Sequence, residues 1–93
     1  MGAQPGGVSF DMLVRSLAAS AAVHFGDAAN RGSGARTPLN LEAALQMIDL
    51  LALLEEKTRG NLTDPEAQCL VETLRALRTR FVEVRRAAAP PGP

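Results

Sequence analysis

Between Asn40 and Gly60 the chain carries a stretch that is apolar on almost every turn. Leu41, Ala43, Ala44, Leu45, Met47, Ile48, Leu50, Leu51, Ala52, Leu53 and Leu54 crowd into it. Its polar residues Glu42, Gln46, Asp49 and Glu56 fall on one narrow stripe when the residues are set about 100° apart. A helix that is apolar over most of its circumference is buried on more than one side. The spacing predicts a helix over about 41–59, capped by Asn40 and about 28 Å long at a rise of 1.5 Å per residue. Such a helix needs neighbours.

The sequence supplies one of them directly. Lys57 and Arg59 place cations at the helix end, and Gly60 offers a left-handed C′ residue. Asn61-Leu62 then leads into Thr63-Asp64-Pro65-Glu66, a capping box in which Thr63 caps and Glu66 reaches back. Pro65 in the first turn gives up an N–H that has no partner there. A third helix follows over about 64–86. Its Ala67, Leu70, Leu74, Leu77, Phe81 and Val84 alternate spacings of three and four, a heptad-like seam. The two helices form an antiparallel hairpin. An N-terminal helix is expected over about 10–24, with Ser9 as N-cap and Asp11 in its first turn. Phe10, Leu13, Leu17, Ala21 and His24 mark its inner face, and Gly26 its stop. The expected fold is therefore all-α, a three-helix bundle with a core of Leu13, Leu17, Leu45, Ile48, Leu51, Leu70, Leu74, Leu77 and Phe81.

This makes one domain over residues 9–86. Residues 1–8 and 87–93, rich in Gly and Pro at the ends, read as disordered tails. Residues 26–39 hold three Gly and a Pro and read as a flexible loop. Its Gly32-Ser33-Gly34 centre lacks the Gly-Lys-Ser/Thr ending and preceding strand of a phosphate loop.

Composition removes other classes. The chain is 46% apolar with no net charge, against the signature of a disordered chain or a globally basic nucleic-acid binder. No uncharged run is long enough to cross a membrane. The acids on the polar stripe of the second helix argue against a membrane-surface role. A single cysteine, Cys69, and an N-terminus without the basic start of a secretory signal point to the cytoplasm. A core from about 80 residues, with no disulfide or metal to add to it, is marginal. A homo-oligomer is expected, a dimer above all.

The sequence gives little support to catalysis. One His and one Cys stand in different helices with no patterned third group, so neither a catalytic nor a metal site is expected, and no cofactor. His24 is accounted for by its place at a helix end. Glu55 and Glu56 are adjacent and point about 100° apart. Charge is uneven along the chain: residues 67–86 carry five Arg and two Glu, whereas residues 1–66 carry five basic and eight acidic side chains. Arg75, Arg78 and Arg80 are therefore candidates for contacting phosphates of RNA or a ribosome. Against this, a helix dipole favours acids at the start and cations at the end, and no aromatic platform is present for stacking bases.

One stretch resembles a known family. Ile48-Asp49-Leu50-Leu51 followed by Leu54-Glu55-Glu56-Lys57-Thr58-Arg59-Gly60-Asn61-Leu62-Thr63 is similar to a bacterial domain-of-unknown-function family, number 1844. Ser16-Leu17-Ala18, His24-Phe25-Gly26, Asn40-Leu41-Glu42 and Leu77-Arg78-Thr79-Arg80-Phe81-Val82-Glu83 support it, so the likeness spans about residues 10–83. The chain departs from the family pattern at Phe25, usually Leu, and at Arg59, usually Lys. Arg75-Ala76 stands where a Tyr–Glu pair is frequent. The resemblance implies a short, all-helical, cytoplasmic bacterial protein and implies no activity. Among its matching residues, Lys57, Thr58 and Asn61 are polar at a turn and are the candidates for a partner-binding surface. The functional expectation is a self-associating protein–protein interaction module; the alternative is RNA or ribosome association through the third helix.

Overall fold

The computed structural model describes residues 7–28 and 38–88. It contains three helices: α1, Phe10–His24; α2, Leu41–Lys57; and α3, Asp64–Ala88. All three pack on one another around a shared core. The disordered tails expected at residues 1–6 and 89–93 and the flexible loop expected over 29–37 lie outside the described residues.

Each N-terminus forms as its cap residue dictates. The Ser9 hydroxyl accepts from the Met12 amide at 3.1 Å, and Asn40 Oδ1 accepts from Ala43 at 3.0 Å. At α3 the capping box closes in both directions. The Thr63 amide donates to Glu66 Oε1 at 2.8 Å, and the Glu66 amide donates to Thr63 Oγ1 at 3.2 Å.

The C-termini differ from the sequence expectation. α2 ends at Lys57, two residues early, because Thr58 caps it. The Thr58 hydroxyl and amide both donate to the Leu54 carbonyl, at 2.7 and 3.0 Å. Gly60 is therefore not the C′ residue. It occupies the third position of a tight turn closed by the Asn61 amide on the Thr58 carbonyl at 2.8 Å, and its φ of +86° serves that turn. α3 runs two residues past 86, into what the sequence suggested was a tail, because Ala87 and Ala88 are good helix formers.

The core is Val14, Ala21, Phe25, Ala44, Ile48, Leu51, Leu70, Leu74 and Val84. Leu17, Leu77 and Phe81 pack against it half-buried. Two expected core residues do not belong: Leu13 is 42% exposed and Leu45 41%. On α1 the buried face is centred on Val14, Ala21 and Phe25, about 60° round the helix from the stripe chosen by spacing alone. On α2, Leu45 sits beside the polar stripe, about 100° from buried Ala44.

Alanine explains how closely α1 and α2 pack. The Asn40 amide donates to the His24 carbonyl at 2.8 Å, tying the start of α2 to the end of α1. One turn in from that bond, Ala44 stands level with Ala21, and both are fully buried. A larger side chain at either place would push the helices apart.

Candidate functional site

Two junctions and two helix faces carry the polar chemistry. The first junction is the α2–α3 turn. Lys57 and Asn61 are exposed there, whereas Thr58 is half-buried with its hydroxyl held by the Leu54 carbonyl. The turn borders a cleft of about 170 Å³ lined by Glu55, Arg59, Gly60, Leu62, Ala67, Leu70 and Val71. Of the three residues expected to form a recognition surface, Thr58 is thus committed to capping.

The second junction is where α1 ends. Phe25 is the C-cap, and Gly26 takes φ +82°. The Gly26 amide donates to the Val23 carbonyl at 3.0 Å and the Asp27 amide to Ala22 at 2.8 Å. These are the paired bonds of a Schellman motif. The segment expected to be a loop from residue 26 onward thus begins in a hydrogen-bonded turn. The motif aims Asp27 at α3, where both carboxylate oxygens accept from Arg80, at 2.8 and 2.6 Å. Arg80 also reaches Glu83 at 3.3 Å. The hydrogen bond to Asp27, and secondarily that to Glu83, hold the Arg80 guanidinium above its ordinary pKa.

That pairing separates the three candidate arginines. Arg75 and Arg78 lie about 60° apart on the outer face of α3, and Arg80 about 140–160° round from them. Arg85 and Arg86 extend the outer face, with Arg85 stacked 5.8 Å from the centre of the Phe81 ring. Val71 and Val82 stand among these arginines, 41% and 37% exposed. Arg75, Arg78, Arg85 and Arg86 make no salt bridge to any described residue.

The outer face of α2 is the counterpart. Glu42, Asp49 and Glu56 follow at seven-residue intervals, exposed, with Lys57 at the end of the row. Leu45, Leu50 and Leu53 stand among them at 41%, 44% and 49% exposure. Periodicity identified the acidic stripe. The same spacing puts Leu53 on that stripe, four residues after Asp49 and three before Glu56.

His24 and Cys69 do not meet. Asp27 on Arg80 fixes the end of α1 beside the later half of α3, whereas Cys69 lies eleven residues before Arg80, about 16 Å along the axis. Cys69 is a half-buried thiol packed against the core. Among the described residues no cluster of His, Cys, Asp and Glu is placed to hold a metal ion. Among them, too, no helix is long and apolar enough to cross a membrane.

The molecule is an all-α, three-helix domain whose described polar side chains form caps, an interhelix clamp and two outer faces of opposite charge. A family model described as a domain of unknown function, DUF1844, matches residues 7–83, and the chain belongs to that family. Searches of curated proteins and of solved structures each returned no match.

Proposed function

We propose that this chain is a self-associating helical module that works through protein–protein contacts in the bacterial cytoplasm, without catalysis of its own. The observation that carries this reading is the outer face of α2. Three leucines more than 40% exposed project from one helix whose opposite face is locked into the core. Single exposed leucines are ordinary, but three along a rigid helix form the start of an interface rather than scatter. A homodimer is the simplest closed assembly. Lys57 and Asn61, exposed at the turn, remain available for a second protein.

The RNA or ribosome reading through Arg75, Arg78 and Arg80 has weaker support, since Arg80 is engaged by Asp27 and points away from the other two. Light scattering on the purified protein between 1 and 100 µM, as a rough working range, tests the main reading. The expected result is a dimer that L50Q/L53Q converts to a folded monomer. A wild-type monomer throughout that range rules the reading out.

A further inference from the structure

Resting on the self-association reading, we propose that the acidic, leucine-bearing face of α2 docks on the basic, valine-bearing face of α3 of a second copy. The argument begins with charge. On α2 the exposed row is Glu42, Asp49 and Glu56, with Lys57 the one opposing charge. On α3 the exposed face presents Arg75, Arg78, Arg85 and Arg86. The acid nearest that face, Glu72, accepts from Gln68 at 3.0 Å. Neither face satisfies its charges within the described residues. Two like copies each carry both halves of the complement.

Geometry makes the contact closable. α2 and α3 are antiparallel and stay level along their length. At one end Glu55 lines a cleft with Ala67, Leu70 and Val71. At the other, Leu39, just before α2, lines one with Arg80, Glu83 and Val84. By the same register Glu42 is level with about residue 80, and Asp49 with about residue 73, so each lies within a turn of Arg78 and Arg75 respectively. A twofold axis along the bundle keeps every residue at its own height. It sets each α2 antiparallel to the partner copy's α3, with Glu42 near Arg78 and Asp49 near Arg75 across the interface, twice over. The contact is then closed rather than open-ended, so copies stop at two. The apolar part follows: Leu45, Leu50 and Leu53 meet Val71 and the aliphatic stems of the arginines.

Charge exchange tests this pairing. R75E/R78E places acid against acid at both contacts, and E42K/D49K places base against base. All four positions are exposed, so circular dichroism should show folded helices in each variant. Each variant alone should lose dimer affinity by about tenfold or more. Mixed in equal amounts, the two variants should form a one-to-one heterodimer, because every contact again opposes acid and base. Loss in each variant with recovery on mixing supports the proposal.

The outcomes separate the two levels of the reading. Dimers that ignore both charge reversals but fall apart in L50Q/L53Q overturn this pairing and leave self-association standing. Loss in each variant without recovery on mixing also overturns it. A monomeric wild type overturns both. If that monomer retains a labelled single-stranded RNA that R75E/R78E releases, the α3 face belongs to nucleic acid instead.

Discussion

Gly26 and Gly60 both hold a positive φ, and a Cβ at either would meet nothing within 4 Å. Alanine at either site therefore strains the backbone without any clash, a cost of about 1–2 kcal/mol. Urea unfolding of G26A and G60A should show that loss with unchanged cooperativity. Gly26 serves a Schellman motif and Gly60 a tight turn, so the same residue type does two different jobs. The Asp27–Arg80 clamp also belongs to this scale. Its side chains are 35% and 43% exposed, so solvent and salt weaken it. In a double-mutant cycle, D27A and R80A should each lower Tm, and the double variant should lose less than the two losses summed. That coupling should shrink in 1 M salt, a concentration at which the screening length is about 3 Å.

At the scale of the helix, the N-termini were legible because capping is local chemistry. Ser9, Asn40 and Thr63 each sit where a side-chain oxygen must take an orphan amide, and Glu66 confirms the last by its spacing. Which side of α1 faces inward was not legible. Leu13 and Val14 are adjacent, both apolar, and each begins a three-and-four stripe. What separates them is the position of α2, fixed from outside α1 by the Asn40–His24 bond and by the small pair Ala21 and Ala44. The stripe through Val14 is buried, so V14A should cost about 2 kcal/mol and L13A less than about 1 in the same unfolding measurement. The reverse order would place the inner face where spacing alone put it.

For the whole molecule, the sequence showed that acid collects early and base late in a neutral chain. It could not show that helix packing turns this gradient sideways, into two outward faces at the same height. That Arg80 and Arg78 point nearly opposite ways follows from their two-residue spacing alone, but that the end of α1 holds Arg80 does not. Asp27, the partner that holds Arg80 from outside α3, lies 53 residues away, beyond the reach of any local pattern.

The junction of α1 with α2 and α3 has one more consequence. The carbonyl of His24 is held to Asn40, and Asp27 is held to Arg80, so both ends of the intervening stretch are anchored by bonds of their own. The meeting of the helices should therefore depend only weakly on the length of chain that joins them. Twelve residues, 28–39, lie between Asp27 and Asn40. Doubling that number with Gly and Ser should lower stability by only about 0.6 kcal/mol, the entropy of a longer loop, which a urea titration would register as a small shift in midpoint. A peptide inserted between these two anchors should therefore leave the helical circular dichroism of the bundle unchanged.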